Sequence, residues 1–144
     1  MANRKIIVFK VGSESFGMDI EQVKEIISPR QIFKIPGTPE FIDGLINIRN
    51  KVYTLINLRK KFKLTYREYD ENTKIIVVNL SIEEICILVD EVNEIVWIDD
   101  SAVDSTPEKI KEYNEKNVTG IVSFEDKSIL MLDINQLIEK IGNL

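Results

Sequence analysis

Apolar residues along this chain come in short runs or at every second position, the periodicity of strands rather than of helices. Ile6 to Val11 is β-branched, Gly12-Ser13-Glu14 reads as a turn, and Phe16, Met18 and Ile20 alternate with polar or small residues, which predicts a hairpin. Asp19 or Ile20 is then expected to open a short helical stretch, with Val23, Ile26 and Ile27 on one face and Ser28-Pro29 as its stop. Ile32 to Ile35 reads as a third strand, ended by Pro36-Gly37-Thr38-Pro39. Leu45 to Ile48 and Val52 to Ile56, joined by the polar turn Arg49-Asn50-Lys51, predict a second hairpin. The second half offers Lys74 to Leu80, Ile85 to Val89, Ile95 to Ile98, Val118 to Phe124 and Ile129 to Leu132. In the tail, Asp133 can N-cap a helix whose Ile134, Leu137, Ile138 and Ile141 form one apolar stripe before Gly142. That stripe is expected to pack on the chain's own domain.

These elements occur twice. At an offset of 69 positions Ile7-Val8-Phe9-Lys10-Val11 lies on Ile76-Val77-Val78-Asn79-Leu80, and Phe16, Met18, Ile20, Val23, Glu25 and Ile26 lie on Ile85, Ile87, Val89, Val92, Glu94 and Ile95. At an offset of 76, Gly44-Leu45-Ile46-Asn47-Ile48 lies on Gly120-Ile121-Val122-Ser123-Phe124, Lys51 on Lys127, and Leu55-Ile56-Asn57-Leu58 on Met131-Leu132-Asp133-Ile134. Seven extra residues in the second middle loop absorb the change of offset. Five short strands per half suffice to close a small barrel and remove exposed edges. The chain is thus expected to be mainly β, two pseudo-symmetric five-stranded barrels with short helices and a C-terminal α-helix.

The motifs resemble those of the CheW-type coupling proteins of bacterial chemotaxis. The likeness rests on Gly44-Leu45-Ile46-Asn47-Ile48-Arg49 followed by Val52 and Leu55-Ile56-Asn57-Leu58-Arg59, and upstream on Val23-Lys24-Glu25-Ile26 and Ile35 to Gly44. Downstream it rests on Leu88-Val89-Asp90-Glu91-Val92 and Leu130-Met131-Leu132-Asp133-Ile134. Asn50, Thr54, Asn57 and Cys86 depart from the family pattern, where glycine, proline, aspartate and glycine are common. The resemblance implies a single domain over 1–144 with two barrels of Src-homology-3-like type, at about 1–72 and 73–144. It also implies a non-enzymatic adaptor, monomeric when free, that joins the cytoplasmic tip of a chemoreceptor to the regulatory domain of a histidine kinase. For the receptor it points to Ile20, Val23, Ile26, Glu25, Arg49 and Gly44. Their repeat mates Val89, Val92 and Ile95 are equally apolar, so core packing is the competing account for the three aliphatic residues.

Composition narrows the function. Of 144 residues 44% are hydrophobic and none is histidine, which removes the usual general base and the usual metal ligand; no cofactor is expected. A net charge of −5 opposes nucleic-acid binding, no apolar run is long enough for membrane insertion, and the lone Cys86 sits in an apolar run, so a cytoplasmic protein is expected, and the family resemblance implies that it is recruited to receptor arrays. Residues 1–72 hold 13 basic and 9 acidic residues, net +4, whereas 73–144 hold 6 and 15, net −9. That split suggests that charge orients lobe pairing with the kinase, through Arg59, Lys60 and Lys61 on one lobe and Asp90 and Glu91 on the other. Charge runs that merely face water are the bland alternative. An isolated regulatory domain of a larger kinase or receiver-fused protein, an unrelated all-β binding barrel and a carboxylate enzyme are rival readings. The start at Met1 and the ending Gly142-Asn143-Leu144 favour the free-standing adaptor.

Overall fold

The computed structural model describes residues 3–80, 83–112 and 117–137. Its strands are β1 Asn3–Val11, β2 Glu14–Asp19, β3 Val23–Ile27, β4 Ile42–Ile48, β5 Lys51–Asn57, β6 Lys74–Asn79, β7 Glu84–Val89, β8 Glu91–Asp99, β9 Val118–Phe124 and β10 Lys127–Leu132. Between them lie α1 Leu58–Lys61, α2 Pro107–Ile110 and two 3-10 turns, Ile20–Gln22 and Asp100–Ala102.

Both predicted hairpins of the first half form. Arg49 and Asn50 have φ of 50° and 67°, and Glu125 and Asp126 at the matching turn have 45° and 65°. Two successive positive φ values are the type I′ geometry whose twist suits flanking strands, and Asn50 tolerates it better than any residue but glycine. At 44 the reason for glycine is different: a Cβ would lie 2.3 Å from the Phe33 carbonyl oxygen. Phe33 and Leu45 exchange two backbone hydrogen bonds of 2.8 Å there. Asp104 and Ile121 do the same next to Gly120, so one device closes both copies.

Two local expectations need correction. The helical stretch after Asp19 is a 3-10 turn followed by β3. A register shift between Val23 and Glu25 in the β3–β6 ladder breaks the two-residue alternation, and the resulting 23, 26, 27 spacing imitates a helix. The third strand at Ile32 to Ile35 shrinks to the single bridge Phe33↔Leu45, and the prolines on either side, Pro29, Pro36 and Pro39, supply no amide to extend it. In the tail, 134–137 is helical, with Ile134 and Leu137 buried and Asp133 accepting from the Gln136 amide at 3.1 Å. Ile138, Ile141 and Gly142 lie outside the described residues. This helix has a repeat mate: Asn57 caps α1 by accepting from the Lys60 amide, at the matching offset of 76.

The strands form two five-stranded sheets, β8-β1-β2-β10-β9 and β3-β6-β7-β5-β4. In repeat terms each sheet has the order third-first-second-fifth-fourth. Each takes its first two strands from one half of the chain and the other three from the other half. Accordingly the compact units are Met1–Ile20 with Asn93–Leu144, here unit 1, and Glu21–Val92, here unit 2. The lobes expected at 1–72 and 73–144 are therefore not the folding units. Each unit has its own core at matching positions: Ile46, Ile48, Tyr53, Leu55, Ile75, Val77, Cys86 and Leu88 in unit 2, and Ile6, Val8, Ile98, Val122, Ile129 and Met131 in unit 1.

Chain geometry explains the exchange. β3 runs antiparallel to β6, and β6 antiparallel to β7, so a third strand lies parallel to the second strand of its sheet. Parallel neighbours in one sheet need a crossover of about a dozen residues or more. Only Ile20–Gln22 separates β2 from β3, and only Asp90 separates β7 from β8. Neither link can return the chain to its own sheet.

Unit 2 is continuous and contains all five of its strands, so a 21–92 fragment is expected to show β-type circular dichroism and a cooperative thermal transition. Fragments 1–72 and 73–144 should each lack such a transition alone and acquire one on mixing. Cooperative folding of either half by itself would refute the exchange.

Candidate functional site

Val23, Glu25, Ile26, Gly44 and Arg49 all belong to unit 2, while Ile20 falls to unit 1 and is half-buried. β3 and β4 are the edge strands of the unit 2 sheet, yet Glu25 on β3 pairs with Arg49 in the turn that follows β4. The sheet therefore curls until its edges meet, and this ion pair ties them. The hydrogen bond to Glu25, then its charge, raises the Arg49 pKa above its ordinary value. With side-chain exposures of 66% for Arg49 and 25% for Glu25, the pair is largely solvated and stabilises little by itself. Arg49 nevertheless stays presented at the surface in a fixed place.

The bulge on β3 decides which side chains flank this pair. Directly opposed residues of an antiparallel ladder share a face. Glu25 and Ile27 sit opposite Val77 and Ile75 of the unit 2 core, whereas Val23 and Ile26 sit opposite Val78 and Ile76, on the other face, where those two partners are themselves fully buried. Ile26 is 39% exposed, and Val52, just past the Arg49 turn, is 58% exposed. Gly44 is buried behind the bridge to Phe33, so close backbone packing accounts for its identity.

A neighbouring cluster escaped the sequence reading. Glu84 on β7 accepts from Lys51 on β5 and pairs with Lys24 on β3 at 3.0 Å. These contacts join residues up to 60 positions apart, so no local pattern could show them. The repeat of Lys51 at Lys127 was the one available signal. The hydrogen bond from Lys51, followed by that from Lys24, holds the Glu84 carboxyl below its ordinary range.

The five residues expected to meet the kinase cluster around α1 and the end of β7. Arg59 pairs with Asp90 at 2.5 Å and donates through Nε and Nη2 to the Thr65 carbonyl at 3.1 and 2.9 Å. Lys60 pairs with Asp43 at 2.7 Å, and the Lys61 ammonium lies 4.8 Å from the Phe41 ring centre. Asp90 is buried, and Glu91, half-exposed, begins β8. The supposed basic and acidic lobes thus neutralise each other inside one unit. Recounted by unit, 21–92 holds 11 basic and 11 acidic residues, and the remainder 8 and 13, net −5. A basic lobe facing an acidic one is an artefact of cutting the chain in half.

The same network explains a departure from the family pattern. Asn57 donates from Nδ2 to Asp43 at 2.9 Å, which an aspartate at 57 could not do, and Thr119 stands at the repeat position of Asp43, where no carboxylate opposes Asp133. Burial and then the Asp43 charge push the Tyr69 phenol up to about 12. Burial likewise pushes the Cys86 thiol up to about 12, the state of an inert core residue. In unit 1 the mate of Glu25 is Glu94, which meets Lys127 at 3.7 Å, while Glu125 occupies the position of Arg49. Among the described residues no group of His, Cys, Asp and Glu could hold a metal ion, and no helix is long and apolar enough to cross a membrane.

Because the folded pKa of Glu84 is depressed, its contribution to stability is present above the unfolded carboxyl pKa and is lost as pH falls through the folded value. Glu84→Gln is therefore expected to lower the thermal midpoint at pH 7 and to lose that effect toward about pH 3. A difference from wild type that is constant across pH would contradict the pairing.

With this geometry in view, a family model described as CheW-like domain matches residues 5–142. The chemotaxis protein CheW of Klebsiella aerogenes is 31% identical over 135 residues, 94% of this chain and 81% of that one. The CheW of Bacillus subtilis is 30% identical over 136 residues, with coverages of 94% and 87%. The crystal structure of the scaffolding protein TtCheW from Thermoanaerobacter tengcongensis superposes with a TM-score of 0.83 at 34% identity, covering 93% of this chain and 86% of that one. Matching in family pattern, length and fold alike, this chain belongs to the CheW-like domain family.

Proposed function

We propose that this protein is a non-enzymatic adaptor that couples chemoreceptors to the chemotaxis histidine kinase, working in the cytoplasm at membrane-associated receptor arrays. The observation that carries the reading is the tied edge of unit 2. There Glu25 fixes Arg49 at the surface, with the exposed Ile26 on β3 and Val52 just past the turn. An apolar strip beside a fixed cation is suited to the tip of a receptor helix hairpin, which presents an apolar face with polar flanks. Ile20, which falls to unit 1, remains a separate candidate, and Gly44 serves by letting the hairpin close on Phe33. Family membership supports the same reading, since the relatives are named as chemotaxis and scaffolding proteins.

The kinase contact is assigned to the α1 surface. Lys60 is exposed there, and Lys61 and Glu91 are partly so, while the Arg59–Asp90 pair frames the surface from within. Because that frame is internally neutralised, apolar and shape complementarity rather than bulk charge should dominate the contact, and its salt dependence should be shallow.

Co-sedimentation of the chain with a receptor cytoplasmic fragment and the cognate kinase tests the assignment. Arg49→Glu should weaken receptor capture by about tenfold or more while kinase binding and the thermal midpoint stay near wild type. Retention of receptor capture by that variant would sink the site.

A further inference from the structure

Beside α1 lies a cleft of about 420 Å³ that shares only Arg59 and Lys60 with the surface assigned to the kinase. It is lined by Glu40, Asn57, Arg59, Lys60, Lys63, Leu64, Tyr66 and Arg67, so four cationic side chains and one carboxylate face it. The aspartates that pair with three of those cations, Asp43, Asp70 and Asp90, do not line it. We propose that this cleft is a binding site for a small phosphate-bearing molecule of about mononucleotide size.

The arrangement has the features such a ligand needs. Arg59 is held from two sides, by Asp90 and by the Thr65 carbonyl, and Arg67 by Asp70 at 2.5 Å, so both guanidinium groups are oriented before any ligand arrives. Lys63 lies just beyond α1, is exposed, and has no ion-pair partner among the described residues. Tyr66 is 77% exposed at the rim and offers an aromatic face. The volume falls within the range of about 300 to 1,000 Å³ usual for small-molecule sites. Phosphate fits better than carboxylate. A lone carboxylate repeats what the aspartates already supply, whereas a phosphate dianion carries more charge and spreads its oxygens over several donors. The inference rests on the geometry of unit 2 and is independent of receptor coupling.

Titration of the full chain, labelled with nitrogen-15, with adenosine monophosphate, with inorganic phosphate and with a peptide of glutamates checks the proposal by amide chemical shifts near physiological salt. Adenosine monophosphate should give saturable shifts confined to residues around 57–67, with inorganic phosphate weaker at the same amides. Lys63→Ala with Arg67→Gln should weaken that binding about tenfold or more. Lys10→Ala, in unit 1, serves as a control and should leave it unchanged. Non-saturating shifts spread over surface lysines, an unchanged affinity in the double variant, or tighter binding of the glutamate peptide than of the nucleotide would each overturn it. Receptor capture in the same double variant should stay intact, so failure here and failure of the coupling assignment are read separately.

Discussion

Two links too short to cross a sheet govern this molecule. A strand that must lie parallel to its predecessor cannot be reached through three residues at Ile20–Gln22, and still less through the one residue Asp90. Each repeat therefore gives its first hairpin to one sheet and its last three strands to the other. The seams are the parallel pairs, Leu55↔Cys86 to Asn57↔Leu88 in one unit and Ile129↔Ser15 to Met131↔Gly17 in the other. These pairs join residues that are distant in sequence, and every one of their aliphatic members is buried. Misreading them misassigns the lobes, the charge balance and the neighbours of each functional side chain.

Once the sheets are assembled this way, the placement of charge follows. Asp90 lies at the very link that makes the exchange, and its carboxylate serves Arg59 at the end of the β5–α1 connection, so a residue from the second half neutralises one from the first. Glu84 does the same for Lys24 and Lys51. What looked like a basic half and an acidic half is one interleaved, balanced unit and one mildly acidic unit. The surface features left beside this pairing are local: the tied edge at Glu25 and Arg49 with Ile26 and Val52 nearby, and the cleft lined by Lys63 and Arg67.

Comparison of the repeats separates frame from task. Gly44 and Gly120, the hairpin turns at Arg49-Asn50 and Glu125-Asp126, and the caps Asn57 and Asp133 recur at matched positions and perform matched structural jobs. Arg49 against Glu125 does not match, although the acidic residue facing it is retained as Glu25 and Glu94. In unit 2 the turn supplies the cation that closes the edge. In unit 1 that position repels, and Lys127 takes over at longer range. The two edges thus carry different charge on the same backbone, which lets one be specialised for a partner.

Most of the strands, the two first-half hairpins, the internal duplication and the family are legible in the residue pattern alone. Alternating β-branched residues, turn residues and motif spacing are local properties that need no tertiary information. The sequence also showed Glu25 and Arg49 as the asymmetric pair to watch. It misjudged β3, because a bulge shifts side-chain parity in a way that copies helical spacing, and a bulge is defined only by the partner strand. It could not see Glu84 with its two lysines, which depends on pairing across the exchanged sheets, nor the Asn57–Asp43 bond and the cleft, which depend on how the β4–β5 hairpin and the segment after α1 come together. Tertiary structure alone decided which half supplies each strand. Loop length against sheet geometry, not residue type, sets that choice.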